Sequence, residues 1–184
     1  MPKRLLTTPE ATEARRVFGE SLPYDRTFVS ETSTWTNTVD DFGQRLRGQK
    51  RQSDNAITLW DTSHFPVPLK TSQKDIDSGN VWHMAWLIHE LTHQWQYHRL
   101  GWPYLFRALG TQLSQGRDGY KYSVEGKARL AEFNLEQQGD IARDYYFALA
   151  YQINPAVRGM GVPTPVPLNW LEPFVAEFKQ GAYR

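Results

Sequence analysis

The chain has 184 residues, a formal net charge of +1, no cysteine and 14% aromatic residues. It is long and apolar enough to bury a core, and its near-neutral charge offers no attraction for nucleic acid or an anionic membrane. The lack of cysteine excludes disulfides, thiolate nucleophiles, cysteine-ligated zinc and iron–sulfur clusters.

The chain carries no sequence signal for a membrane span or for standard export. In the N-terminal segment MPKRLLTTPEATEARR, the apolar run is only Leu5 and Leu6, which is too short for a signal peptide. No apolar stretch approaches the roughly 18 residues of a spanning helix. We therefore expect no signal peptide, synthesis in the cytoplasm and no membrane insertion.

The first third of the chain predicts one helix followed by strands. The segment TTPEATEARRVFGES predicts a short helix with Thr8 as its N-cap, Pro9 in the first helical position and Gly19 at its end. Many β-branched and aromatic residues favour one or two strands within residues 27–38. Another strand is expected over residues 56–60, running toward a pair of prolines that suits a sheet edge.

The remainder predicts helices. In DIDSGNVWHMAWLIHELTHQWQYHRLG, apolar residues recur in steps of three and four and form one helical stripe, and Gly101 ends the helix. A shorter helix is expected in PYLFRALGTQLSQ, followed by a loop in GRDGYKY. A long helix is expected in SVEGKARLAEFNLEQQGDIARDYYFALAYQ, then a Pro/Gly-rich connection and a last short helix in NWLEPFVAEFKQG. The sum is a helix-rich α+β domain, with a small antiparallel or mixed sheet encoded before the main helices.

One motif within WLIHELTHQW carries chemistry. His89, Glu90 and His93 fit the pattern H-E-x-x-H. Helical positions four apart lie on one face, so both imidazoles can reach one metal ion. Glu90 turns by about 100° from His89 and is placed where the base for a zinc-bound water must lie. The alternative is two core histidines satisfied by the backbone, with Glu90 in solvent.

A zinc hydrolase uses a third protein ligand, and the other histidines of the same helix do not share the ligand face. Relative to His89, His98 is rotated by about 180° and His83 by about 120°. His64 lies in a predicted strand or loop and stays open as a ligand. No histidine follows His98, so we expect the third ligand to be a carboxylate.

The segment NLEQQGDIARDYY supplies acidic candidates for that ligand. Glu136 is the preferred ligand, and Asp140, one turn later, is placed to accept the Nδ1–H of a ligand histidine and fix its tautomer. Gly139 costs about 1 kcal/mol in a helix interior, which a close approach to the metal-binding helix would explain. Glu132 and Glu125 are rival ligands. In the alternative interpretation, these acids form a solvated helical face.

Peptide hydrolysis also needs a donor that stabilises the developing oxyanion. The sequence does not choose among the candidates, for whose tyrosines core packing is the alternative. The candidates are Tyr145, Tyr146, Arg143 and His98, with Tyr120 and Tyr122 as further options.

Two motifs give the chain a family resemblance. HELTH followed about 43 residues later by EQQGD resembles the gluzincin metallopeptidases. The combination of HELTHQWQY with FNLEQQGDIARDYY resembles a narrower group, the zinc metallopeptidase toxin domains at the C-terminus of VgrG-type spike proteins of type VI secretion and their stand-alone relatives. PYDRTFVSE and AITLWDTSHFP are similar to the strand segments that precede the zinc helix in that group. The resemblance covers about residues 23–151.

The resemblance implies a zincin-like fold and a gluzincin-type zinc metalloendopeptidase. Zn²⁺ would be held by His89, His93 and Glu136, with Glu90 as the catalytic base. The implied role is an interbacterial toxin or effector that a secretion apparatus delivers to a target-cell periplasm. Its partners would be a protein or peptide substrate, a secretion spike and an immunity protein.

We expect a single domain over residues 1–184, with its core over about 23–151 and a C-terminal segment over 155–184. Two other functions stay open. One is a binding module with a closed, structural metal site. The other is a metallohydrolase that acts on cell-wall peptides.

Overall fold

The computed structural model describes residues 2–33, 35–36, 55–101, 122–162 and 164–181. The helix expected in PYLFRALGTQLSQ and nearly all of the GRDGYKY loop, including Tyr120, lie outside these residues. So does most of the segment between residues 34 and 54, which carries the end of the first predicted strand region.

A small mixed sheet precedes the main helices, as predicted. Its strands are β1 (Arg4–Leu5), β2 (Phe28–Ser30), β3 (Ile57–Leu59) and β4 (Thr62–His64), in the spatial order β1-β2-β4-β3. β1 is antiparallel to β2, β2 is parallel to β4, and β3 and β4 form an antiparallel hairpin. Within the described ranges, four strands and six α-helices make the fold α+β, which confirms the predicted class.

Helix α1 (Thr8–Phe18) begins one residue earlier than predicted. Its N-cap is Thr7, so the prediction of Thr8 was wrong. The Thr7 side chain accepts a hydrogen bond from the Glu10 backbone N–H, and the Glu10 carboxylate accepts one from the Thr7 N–H at 2.8 Å. Only Thr7 has a glutamate three residues later, and this reciprocal pair fixes the start of the helix.

The long apolar segment forms two helices rather than one. Helix α2 (Gln73–Asp77) ends before Gly79, which adopts φ 85°, and helix α3 (Trp82–Leu100) follows. A Cβ at Gly79 would lie 2.7 Å from backbone of the segment after residue 155, so the chain needs glycine at this break. The predicted stripe of α3 is buried at every position: Val81, Met84, Ile88, Leu91 and Trp95.

Helix α4 (Leu135–Ile153) starts about twelve residues later than predicted. Asn134 caps it through a reciprocal hydrogen-bond pair with Gln137, and the residues before it form a turn and a short 3₁₀ segment. The Pro/Gly-rich connection contains an unpredicted short helix, α5 (Pro155–Gly159), and α6 (Leu168–Gln180) closes the described chain.

Helix α3 lies between the sheet and α4. Trp82 near its start stacks on Phe147 late in α4, whereas His93 lies near Glu136 at the start of α4, so the two helices are antiparallel. β3 and β4 pack on the opposite side of α3, and α6 packs against α1 and α4. Consecutive residues of α3 therefore reach either the sheet or α4. In the part of the chain that the structure describes, no helix is long and apolar enough to cross a membrane.

Candidate metal centre

Three side chains converge where α3 meets the first turn of α4. His89 Nε2 lies 3.3 Å from His93 Nε2 and 3.4 Å from Glu136 Oε2, and His93 Nε2 lies 3.5 Å from Glu136 Oε1. Their side chains are 12 to 17% exposed. The two histidines lie one turn apart on α3, and capping by Asn134 starts α4 where it presents Glu136 to them.

The three donor atoms fit a zinc ion in kind and in spacing. Two imidazole nitrogens and one carboxylate oxygen are a ligand set of catalytic zinc sites. Ligand atoms about 2.05 Å from a tetrahedral zinc are about 3.3 Å from one another. The observed separations of 3.3, 3.4 and 3.5 Å match three corners of such a tetrahedron.

The structure brings together these three residues and not the rival ligands. Among the residues that it describes, His89, His93 and Glu136 form the one group of three histidine or acidic side chains close enough to share an ion. Glu132 instead accepts two backbone N–H bonds at 2.7 Å in the turn before α4. His64 lies on β4, where its ring meets the edge of Trp35.

Gly139 is required by the approach of the two helices. A Cβ at this position would lie 2.7 Å from Cε1 and 2.9 Å from Nδ1 of His89. Contacts this short cannot be accommodated by a ring that is held on both nitrogens. The close approach expected from the sequence is present, and it explains a glycine inside a helix.

A chain of polar groups holds the far side of His89. His89 Nδ1 lies 3.1 Å from Asp140 Oδ1, and Arg143 donates to the same carboxylate. Arg143 also donates to Asp144, which accepts a 2.8 Å hydrogen bond from the Tyr122 hydroxyl. With Nδ1 engaged by Asp140, the ring presents Nε2 to the ligand cluster.

Gln96 holds His93 and is itself held by Gln138, and neither buried glutamine was predicted from the sequence. His93 Nδ1 lies 2.9 Å from Gln96 Oε1, while Gln96 Nε2 donates to the Leu135 carbonyl and to Gln138 Oε1, both at 3.0 Å. Gln138 Nε2 donates to two further backbone carbonyls. Gln96 thus ties His93 to the backbone beside Glu136. In the sequence, the one sign of this contact is that Gln96 follows His93 by three residues and so lies on the same face of the helix.

The charges of the cluster shift the pKa values of its members in the metal-free protein. Burial lowers the pKa of His89, but the hydrogen bonds to Asp140 and Glu136 outweigh burial and raise that pKa to about 10. Burial also lowers the pKa of His93, but the negative charge of Glu136 outweighs burial and raises that pKa. Burial would raise the pKa of Glu136, but the two histidines hold it well below its usual range. A metal ion must therefore displace at least one proton.

Glu90 is turned toward the sheet and not into solvent. It is buried, and its Oε2 accepts a hydrogen bond of 2.7 Å from the Thr58 hydroxyl of β3. The alternative in which Glu90 lies in solvent is therefore wrong. Glu90 adjoins the ligand cluster closely enough for its charge to help raise the pKa of His89.

The oxyanion candidates have different surroundings. Arg143 is linked to the cluster through Asp140 and is held by two carboxylates, Asp140 and Asp144. Tyr146 lines a cavity with Glu13 of α1, and Lys179 of α6 lies over the ring of Tyr145. His98 is half-buried, and its pKa is lowered first by burial and then by Arg26. The oxyanion donor therefore stays a prediction.

The chain is similar to part of a known secretion protein. It is 30% identical over 155 residues to the type VI secretion system spike protein VgrG2b of Pseudomonas aeruginosa. The match covers 78% of this chain, but the chain spans only 13% of the length of that relative. No family model matches the chain, and no solved structure matches it.

Proposed function

We propose that the chain is a zinc-dependent metalloendopeptidase of the gluzincin type that acts as a type VI secretion effector. The observation that carries the proposal is the spacing of His89 Nε2, His93 Nε2 and the Glu136 carboxylate at 3.3 to 3.5 Å, beside the buried carboxylate of Glu90. Three protein ligands leave one position open, which is the arrangement of catalytic rather than structural zinc sites.

Each residue has a distinct task in this scheme. His89, His93 and Glu136 would bind zinc, while Asp140 and Gln96 orient the two imidazoles. A zinc ion supplies Lewis acidity, which polarises a peptide carbonyl and makes water a stronger acid. Glu90 accepts the proton of the attacking water and returns it to the leaving amine.

The first test is the zinc content of the purified chain. We expect about one zinc ion per chain in the wild type and much less in Glu136→Ala, because the variant lacks one of three ligands. Glu132→Ala is a matched control, since this acid caps a turn and does not face the cluster. Equal zinc in Glu136→Ala and the wild type would contradict the proposed ligand set.

The second test is hydrolysis. Glu90→Gln is expected to retain zinc and lose peptidase activity, because glutamine keeps the shape of the side chain but cannot take the proton. A fully active Glu90→Gln would refute the assigned base. Parallel assays on casein and on crosslinked peptidoglycan fragments would separate a protein substrate from a cell-wall peptide.

The similarity to the spike protein VgrG2b supports delivery by a type VI spike. A target-cell periplasm as the destination and an immunity protein as a second partner are further parts of the proposal. A growth assay tests the compartment. Wild type exported to the periplasm of a susceptible host should arrest growth, whereas the cytoplasmic form and exported Glu90→Gln should not. Equal toxicity of exported wild type and Glu90→Gln would show that growth arrest does not depend on the proposed chemistry.

A further inference from the structure

Four polar side chains form a continuous buried chain between the sheet and α3. Gln94 Nε2 lies 2.8 Å from Ser63 Oγ, Ser63 Oγ lies 2.8 Å from Thr58 Oγ1, and Thr58 Oγ1 lies 2.7 Å from Glu90 Oε2. Gln94 and Ser63 are 0% exposed, Glu90 5% and Thr58 8%. Burying four polar groups where a sheet packs on a helix is costly unless each finds a partner.

The donors in this chain all point toward Glu90. Gln94 Nε2 also donates to the Phe28 carbonyl at 2.9 Å, and a carbonyl only accepts, so this atom is the amide nitrogen. At the other end an ionised carboxylate only accepts, so the proton between Thr58 and Glu90 belongs to Thr58. Ser63 then accepts from Gln94 and donates to Thr58. The backbone carbonyl of Glu90, at 3.2 Å, is the longer and uncharged alternative acceptor for Thr58.

The strand register shows why Thr58 and Ser63 belong together. They are paired residues of the β3–β4 hairpin, and both side chains face α3. Apolar β-branched residues would fill these positions without needing any hydrogen bond. The hydroxyls of Ser63 and Thr58 instead form a chain of hydrogen bonds that ends on Glu90 Oε2. Their presence therefore indicates a role at the Glu90 carboxylate.

We propose that Thr58 is a positioning residue for Glu90. Its hydroxyl holds Oε2, which fixes the carboxylate plane and leaves Oε1 as the oxygen that exchanges the proton with water. The inference rests on the proposed function of Glu90 as the base. A base must be held in a narrow range of positions to be effective, and glutamate has three rotatable bonds that would otherwise spread it over several. Among the described residues, the Thr58 hydroxyl bonds to Glu90 and Ser63, so the ligand cluster does not depend on it.

The test uses the full zinc-loaded chain and three variants. Thr58→Val removes the hydroxyl at nearly constant volume, and Thr58→Ser restores it. Thr62→Val is the matched control on the same hairpin, because Thr62 is also buried but donates to its neighbour Asp61. We expect Thr58→Val to lower kcat by roughly ten- to a hundredfold at unchanged KM and zinc content. Thr58→Ser should recover most of the loss, and Thr62→Val should resemble the wild type.

Three results would overturn the proposal: a kcat of Thr58→Val within about twofold of the wild type, an equal loss in Thr58→Ser, or a loss of zinc. If Thr58→Val does not fold, Ser63→Ala replaces it. This variant removes the donor to Thr58, so a smaller loss of kcat in the same direction is expected, and no loss would overturn the proposal.

A second readout does not require activity. The carboxyl carbon resonance of Glu90 can be assigned by its disappearance in Glu90→Gln. It should shift or broaden in Thr58→Val and stay unchanged in Thr58→Ser and Thr62→Val. If the wild type cleaves no substrate, the proposed function fails, but this resonance still decides whether Thr58 holds the carboxylate. An unchanged resonance in Thr58→Val would overturn that contact.

Discussion

The substitution Gln96→Leu tests whether Gln96 orients the ligand His93 or only stabilises the fold. Gln96 is fully buried, and its loss would remove hydrogen bonds to three groups: His93 Nδ1, the Leu135 carbonyl and Gln138 Oε1. A buried polar group left unsatisfied costs about 1–3 kcal/mol, so we expect the free energy of unfolding to fall by about 1–3 kcal/mol through His93 Nδ1 alone.

The loss of zinc affinity should be separate from that loss of stability. Removing the partner of a ligand histidine typically costs about 10- to 100-fold in metal affinity, which is about 1.4 to 2.7 kcal/mol. Gln138→Leu is the matched control. It removes the hydrogen bonds of Gln138 to Gln96 and to two carbonyls, and it keeps the bond between Gln96 and His93. We therefore expect a comparable loss of stability with a smaller loss of zinc affinity.

The assay is competitive zinc titration with a chromophoric chelator, beside urea denaturation of each metal-free variant. Equal zinc affinity in Gln96→Leu and the wild type, with the expected loss of stability, would refute the reasoning. Gln96 would then only pack the two helices together, and His93 would be oriented by some other contact.

Three further predictions follow from the same site. Gly139→Ala places a Cβ against the His89 ring, so zinc content should fall, whereas Gly159→Ala, with open space around it, should retain zinc; equal zinc in both would contradict the close approach. In the metal-free protein the pKa of His89 is raised to about 10, so its contribution to stability is fully present below about pH 6.5 and is lost as the pH rises toward 10. Denaturation at several pH values should show this decline and zinc affinity should rise over the same range; a flat profile would contradict it. Chelation should abolish hydrolysis and lower the melting temperature while the helical circular dichroism signal persists; unfolding on chelation would favour a structural metal.

Local patterns in the sequence predict some parts of this molecule well. The apolar stripe of α3 follows from residue spacing alone, and all five of its residues are buried. The α+β class follows from β-branched segments before helical ones. His89 and His93 share a face because they lie one turn apart, and a carboxylate from a second helix was expected from the motif EQQGD. The structure brings Glu136 to the two histidines.

Other parts depend on contacts between distant segments. Gln96 meets Leu135 across 39 residues, and Thr58 meets Glu90 across 32. A threonine in a strand and a glutamine in a helix give no periodic signal that specifies such partners. Their roles appear only once α3 is packed with the sheet on one side and α4 on the other. The late start of α4 was missed for a related reason, since capping by Asn134 ends a helical pattern that composition alone would extend backward.

Because α3 lies between the sheet and α4, its histidines and its glutamate are supported by different layers and can be altered separately. Its ligand histidines are braced by α4, while the neighbouring glutamate is braced by the sheet. Under the proposed function, substitutions on the sheet side would therefore remove catalysis and leave the ion in place, and those on the α4 side would release the ion.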